Sequence, residues 1–109
     1  MRDSGRFYFD RRFEGGFVDI RGENVRLRSQ PNTQSRIIAE CRDEMWIDGN
    51  YTYYLGEWTN PQGERWIVAD YEGFKNGKST PLQPVWIFGR YTELVTRKDF
   101  EERLSAEAE

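Results

Sequence analysis

Turn-forming residues interrupt this 109-residue chain about every eight to twelve residues, a spacing that favours short strands over long helices. Between the turns, apolar and polar residues alternate, as in Val25–Ser29 (VRLRS), which is typical of a half-buried strand. Only the segment from Thr96 onward combines helix-forming residues with a capping-box-like start, Thr96 followed by Asp99. We therefore predict an all-β fold of five or more strands, with a short helix or linker at 96–109.

The first nineteen residues show their own β pattern. Residues 7–13 (FYFDRRF) are rich in β-forming residues, 14–16 (EGG) signal a turn, and 17–20 (FVDI) alternate. We predict an N-terminal β-hairpin that extends the fold over residues 1–19. A chain of this length accommodates one domain, which we place at residues 20–95.

Packing alone must hold the fold together. The chain has a single cysteine, Cys41, so it cannot form an internal disulfide, and we expect this side chain to be a small buried apolar group. Four Trp, six Tyr and seven Phe supply the material for a core and distinguish the chain from a disordered one.

Residue types that support catalysis are sparse. Histidine, the commonest general base and metal ligand, is absent. Cys41 therefore lacks its usual activating partner. The carboxylates are scattered and are expected to be solvated surface: Asp43, Glu44, Glu57, Glu64, Asp70 and Glu72. We expect no catalytic residue, no metal site and no cofactor, and a fragmentary enzyme is the least favoured function.

Residues 25–40 (VRLRSQPNTQSRIIAE) resemble the opening motif of the bacterial SH3 domains, a Leu-Asn-Val-Arg-Ser-Gly-Pro run followed by a Ser/Thr-rich loop and Val-Ile-Gly. The residues that match are Val25, Leu27, Arg28, Ser29 and Pro31 in the run, 32–35 in the loop, and Ile37 with Ile38. Arg26, Gln30 and Ala39 depart from the motif. Alternation predicts that Arg28 is exposed, and we expect it to form a local hydrogen bond with the following loop.

A second resemblance lies near the other end of the chain. Residues 63–67 (GERWI) resemble the family's Gly-x-x-Trp-Tyr strand. Residues 85–91 (VWIFGRY) resemble its closing Gly-Trp-Val-x-x-x-Tyr motif, with Val85 in place of Gly. A tight helical turn near Gly89 is expected to aim Tyr91 back at the fold as a packing residue. Together the motifs imply a small SH3-like barrel over residues 20–95, with insertions at 51–58 and in a long loop at 72–84.

A small barrel cannot bury all seventeen aromatic side chains, so several are expected to be exposed. Exposed Tyr and Trp side chains are typical of recognition surfaces because they combine a large rigid area with a polar tip. Each residue taken singly is slightly more often core than ligand contact. As a set, we predict a ligand-binding groove between the two insertions and the barrel, formed by Tyr51, Tyr53, Tyr54, Trp58, Trp66, Tyr71 and Phe74.

The resemblance implies a non-catalytic binding module for a peptide or protein ligand, and peptides of bacterial peptidoglycan are the family's common target. The alternative is a cytoplasmic protein-interaction module or immunity-type inhibitor, favoured by the acidic balance and the insertions. The net charge of −3 argues against nucleic acid, although Arg26, Arg28 and Arg36 lie close in sequence.

Targeting signals do not decide the compartment. The first ten residues (MRDSGRFYFD) contain no apolar signal-peptide core, and no apolar stretch reaches the ~20 residues of a membrane span. We expect a bacterial protein that works in the cytoplasm, or in the cell envelope after processing, and both locations stay open.

Overall fold

The computed structural model describes residues 5–22, 24–41, 51–72, 74–75, 78–79 and 81–108. Two 3₁₀ helices lie in this part of the chain, at Arg11–Phe13 and at Gly89–Tyr91. One α-helix follows the last strand, α1 (Arg97–Ala108). The strands are β1 (Arg6–Tyr8), β2 (Phe17–Ile20), β3 (Val25–Arg28), β4 (Ile37–Cys41), β5 (Tyr51–Thr59), β6 (Arg65–Tyr71), β7 (Phe74–Lys75), β8 (Lys78–Ser79), β9 (Gln83–Phe88) and β10 (Thr92–Val95).

Eight of these strands form one antiparallel sheet, in the order β10-β2-β5-β6-β9-β3-β4, with β1 paired to β5 off this path. The hydrogen-bonded path does not close on itself. The remaining strands, β7 and β8, pair with each other inside the predicted loop 72–84, and β9 begins before that predicted loop ends. The prediction of an all-β fold with a short C-terminal helix is confirmed.

The core lies on one face of the sheet. Its fully buried side chains come from β2, β3, β6, β9 and their neighbours, and include Ile20, Leu27, Ile67 and Ile87. Because strands from distant positions along the sheet pack into one cluster, the sheet coils around it. Register shifts in the pairing of β3 with β4 and of β5 with β6 add the local bending that such coiling needs.

The predicted N-terminal hairpin is not what the structure shows. β1 pairs with the far end of β5, while β2 pairs with β10 and with the start of β5. The chain leaves the sheet after Tyr8 because Asp10 caps the first 3₁₀ helix: its side chain accepts a hydrogen bond of 3.0 Å from the backbone N–H of Arg12. The segments 6–8 and 17–20 therefore lie beside the same strand without pairing with each other.

Tyr54 fastens the N-terminal segment to the sheet. Its hydroxyl accepts a hydrogen bond from the backbone N–H of Asp10 (2.9 Å) and donates one to Glu57 (3.1 Å). Arg65 donates in turn to Glu57 at 2.7 Å, and the ring of Phe9 stacks on Tyr54 with centroids 5.4 Å apart. Burial raises the pKa of the Tyr54 phenol to about 12.

This raised pKa makes stability depend on pH at the alkaline end. The stability that the neutral phenol contributes is present in full below its ordinary pKa of 10.0 and is lost as pH rises through about 12. We expect the unfolding free energy to fall across this window by up to ~1.4 kcal/mol per pH unit from this group. Tyr54→Phe should remove that component in denaturant titrations, whereas Tyr53→Phe, at a side chain that is 50% exposed, should retain it. Identical pH profiles for the wild type and Tyr54→Phe would contradict the assignment.

The C-terminal helix begins as the sequence predicts. The side chain of Thr96 accepts a hydrogen bond of 3.1 Å from the backbone N–H of Asp99, which is the bond expected of an N-cap. The backbone carbonyl of Thr96 accepts the first helical bond, from Phe100 at 2.9 Å. Within the described residues, no helix combines the length and the apolar character needed to cross a membrane.

Helix α1 covers the second face of β2. The ring of Phe100 stacks on Phe17 with centroids 3.9 Å apart, and Arg103 reaches Asp19 at 3.5 Å. Asp19 also pairs with Arg21 at 3.0 Å. Burial nevertheless raises the pKa of Asp19, because its desolvation outweighs the attraction of the two arginines. All four residues of β2 are therefore buried, two in the core and two under the helix.

The stacking on Phe17 should carry most of the docking energy of α1. We expect Phe100→Ala to lower the free energy of unfolding by about 1–3 kcal/mol, since it uncovers an aromatic ring and leaves a void. Leu104→Ala, on the same helix but 44% exposed, should cost less than about 0.5 kcal/mol. Urea denaturation of both variants measures the difference, and equal losses would show that α1 does not dock through Phe100.

Candidate functional site

Two connections meet at one corner of the sheet. Residues 21–24 lead from β2 to β3, and the corner turn (Gly89–Tyr91) leads from β9 to β10. The backbone N–H of Arg21 donates to the carbonyl of Tyr91 at 2.8 Å, which ties the two connections together. Gly89 lies so near the backbone of Arg65 that a Cβ there would approach its carbonyl oxygen to 2.7 Å. Only glycine allows the corner turn to sit this close to the start of β6.

A cleft of about 430 Å³ opens beside this corner. It lies between β3, with its following loop, and the ends of β6 and β9. Its lining residues are Asn24, Val25, Arg26, Arg28, Thr33, Trp66, Phe88 and Tyr91.

Three aromatic rings form one wall of the cleft. Trp66 and Phe88 are direct partners in the pairing of β6 with β9, so their side chains share a face, and the ring centroids are 5.2 Å apart in an edge arrangement. Phe88 in turn contacts Tyr91 at 6.1 Å. Trp66 is 3% exposed and Tyr91 42% exposed, so the wall runs from the interior to solvent. The expectation that Tyr91 packs inside is corrected, because the corner turn sets its ring at the cleft's edge.

Arg28 lies on the same face of the sheet as these rings, because it pairs with Trp86, two residues before Phe88 on β9. Its Nη1 donates hydrogen bonds to the backbone carbonyls of Thr33 and Ser35, both at 2.9 Å, so the predicted bond to the following loop is confirmed. The predicted exposure is wrong, since Arg28 is only 8% exposed. Arg28 keeps its alternating position on the face opposite Leu27, and it is buried because the following loop folds over it and accepts its two hydrogen bonds.

The loop after β3 is held by its own hydrogen bonds as well. The backbone N–H of Ser29 donates to the carbonyl of Arg36 at 3.0 Å, which closes the loop at its base. The hydroxyl of Ser35 donates to the carbonyl of Gln30 at 3.0 Å. With Arg28 bound from inside, this loop presents Thr33 to the cleft as part of a rigid edge.

The cleft carries positive charge on a chain whose net charge is negative. Among the described residues, two arginines and no carboxylate line it. Arg26 pairs with Glu40, its partner across β3 and β4, at 3.6 Å, and both side chains are about half exposed. Such an exposed pair contributes at most about 1 kcal/mol, so Arg26 is readily available to another anion. In the described part of the chain, no group of three potential metal ligands comes together.

The seven predicted ligand-binding aromatics do not gather into one site. Trp66 lines the cleft, and its buried indole N–H has no hydrogen-bond acceptor. Tyr54 lies in the core, and Tyr71 packs against that core.

The other four predicted aromatics are not among the described lining residues, although Trp58 pairs directly with the cleft residue Trp66. Tyr53 is exposed and contacts the ring of Phe17 at 5.0 Å. Trp58 is half-buried between β1 and β6. The side chains of Tyr51 and Phe74 lie outside the described residues, as does that of Cys41. Of the residues that the structure describes in the insertions 51–58 and 72–84, none lines the cleft.

The sequence signal for the cleft was the pair of motifs itself. Val25 and Arg28 belong to the opening motif and Tyr91 to the closing one, and the fold brings them together. A comparison of this chain with protein-family models, with curated proteins and with solved structures found no match. The function of the cleft is therefore argued from its own residues, which supply ring faces, guanidinium groups and a rigid edge.

The two arginines of the cleft should differ sharply in their structural role. Arg28→Met removes two part-buried, charge-assisted hydrogen bonds to loop carbonyls, so we expect it to lower the free energy of unfolding by about 1–3 kcal/mol. Arg26→Met removes only an exposed ion pair and should cost less than about 1 kcal/mol. Urea denaturation of the two variants tests this, and a loss for Arg26→Met as large as that for Arg28→Met would refute the role assigned to the loop bonds.

Proposed function

We propose that this protein is a non-catalytic binding module that holds an extended peptide in the cleft, with bacterial cell-wall peptide as its target. The observation that carries the proposal is the cleft itself, where three contacting rings and two arginines line a space of about 430 Å³. A pocket of this size accommodates a few residues of an extended chain or a drug-sized ligand.

The lining suits a peptide for physical reasons. Ring faces offer apolar contact area at a small cost in conformational entropy, because each ring turns about only two side-chain bonds. An extended peptide presents carbonyl acceptors that no neighbouring strand satisfies, and Arg28, Arg26 and Asn24 offer N–H donors. Hydrogen bonds already hold the corner turn and the loop after β3, so binding a ligand costs little conformational entropy in these two segments.

We further propose that the fold is an SH3-like barrel of the bacterial SH3 type. Support comes from the coiling of one sheet around a single core and from the corner turn at the predicted position. The meeting of the opening and closing motifs at the cleft is consistent with the resemblance. A cell-wall target implies that the protein acts in the cell envelope.

Tyr91 is the best residue for testing the site, because it lines the cleft and is already 42% exposed, so its removal should leave the fold intact. We expect the wild type to be retained by purified sacculi and to bind a soluble stem pentapeptide in calorimetry. Tyr91→Ala should weaken that binding about tenfold, equivalent to ~1.4 kcal/mol. Tyr53→Ala, at a comparably exposed tyrosine outside the cleft, is the matched control and should bind as the wild type does.

Two outcomes would reject the proposal. Failure of the wild type to bind either sacculi or pentapeptide would exclude a cell-wall target. If such a protein instead bound one cytosolic protein stoichiometrically, the alternative of an immunity-type inhibitor would take its place. Equal weakening by Tyr91→Ala and Tyr53→Ala would show that the peptide does not occupy the cleft.

A further inference from the structure

We infer that the cleft recognises a carboxylate of its peptide, which Arg28 and Arg26 bind while the rings of Phe88 and Tyr91 hold the adjoining apolar part. This inference rests on the proposed function and adds the chemical group that the site selects. It is carried by the hydrogen-bonding state of Arg28 and by the weak pairing of Arg26, and the lining residues that the structure describes include no acid.

Arg28 has hydrogen-bonding capacity left over. A guanidinium group carries five N–H donors in a planar fork. The two bonds of Arg28 to protein acceptors, those to Thr33 and Ser35, both leave from Nη1. Among the described residues no carboxylate pairs with it, and Nε and Nη2 have no acceptor there. A planar, fixed pair of donors beside a cavity is the geometry that binds a carboxylate in a bidentate manner.

Arg26 is the second cation of the cleft, and its ion pair with Glu40 is long and exposed to solvent. Its Nε lies 3.6 Å from the Glu40 carboxylate, and both side chains are about half exposed. Glu40 does not line the cleft, whereas Arg26 does. A ligand carboxylate in the cleft therefore competes with Glu40 for Arg26, and the outcome of that competition can be changed by mutation.

The aromatic rings of the cleft determine which chemical groups fit beside the carboxylate of the ligand. Phe88 and Tyr91 continue the wall toward solvent, so a ligand whose acid group meets Arg28 lays its neighbouring groups along them. The lining residues that the structure describes are thus complementary to an anionic, acceptor-rich ligand.

The ligand side of the test uses one pentapeptide in matched forms. The probe is Ala-γ-D-Glu-Lys-D-Ala-D-Ala, measured by calorimetry against the intact protein with its C-terminal carboxylate free or amidated, and with the glutamyl α-carboxylate free or amidated. We expect one of these amidations to weaken binding by about tenfold or more and the other to have little effect, which identifies the carboxylate bound. Binding of the free acid should also weaken as salt is raised.

The protein side of the test uses variants that preserve the fold. Glu40→Gln removes the competing acid and should tighten binding of the free peptide by about two- to fivefold, while Arg26→Gln should weaken it by a similar or larger factor. Both effects should vanish with the peptide whose recognised carboxylate is amidated. Arg11→Gln, which removes the same charge at an exposed site in the first 3₁₀ helix, is the control and should change neither affinity.

The outcomes separate this inference from the proposed function. If the wild type binds every amidated form as tightly as the free acid, the carboxylate assignment is overturned while the peptide-binding function stands. If Glu40→Gln leaves the affinity unchanged and Arg11→Gln lowers it as much as Arg26→Gln, a general charge effect replaces the site. If the wild type binds no form of the peptide, both proposals fail together.

Discussion

The eight-stranded sheet buries its apolar face against its own strands, and this constraint shapes the rest of the described structure. A flat sheet would expose Val18, Leu27 and Ile87, each of which is worth about 1.5–3 kcal/mol when buried. Coiling solves the problem because it turns β2 and β3 toward the same centre. The bending is concentrated at the two register shifts, in β3 with β4 and in β5 with β6. Helix α1 then covers only the outer face of β2.

The cleft is a consequence of that coiling. Where the connection 21–24 and the corner turn meet, backbone bonds hold the two connections together, but side chains of β3 and β9 do not fill the space beside them. Arg28 lies on the face of β3 opposite the core residue Leu27, and the loop after β3 covers it at the same place. Its Nη1 holds that loop through two hydrogen bonds, and the same side chain lines the cleft that the loop borders.

Features that depend on neighbouring residues in sequence were predictable, and features that depend on pairing at a distance were not. The Thr96 cap, the corner turn and the bond from Arg28 to its loop all follow from residues within about seven positions of one another. The partner of β1 is some fifty residues away, and no local pattern distinguishes β5 from β2. For the site, composition indicated aromatic recognition, but burial of Tyr54 and exposure of Tyr91 depend on which face the coiling turns inward.

Among the described residues, Arg28 lacks the opposite charges that another buried ion, Asp19, has beside it. Asp19 and Arg28 are each 8% exposed, so burial makes the charged form of each side chain less favourable. For Asp19, the ion pairs with Arg21 and Arg103 offset part of this desolvation cost. Among the described residues, Arg28 meets only carbonyl dipoles, and none of the lining residues described beside it is a carboxylate. Loop ordering alone needs hydrogen-bond donors but no net charge. The positive charge of Arg28 is explained more fully if, as we propose, an anionic group of the ligand pairs with it.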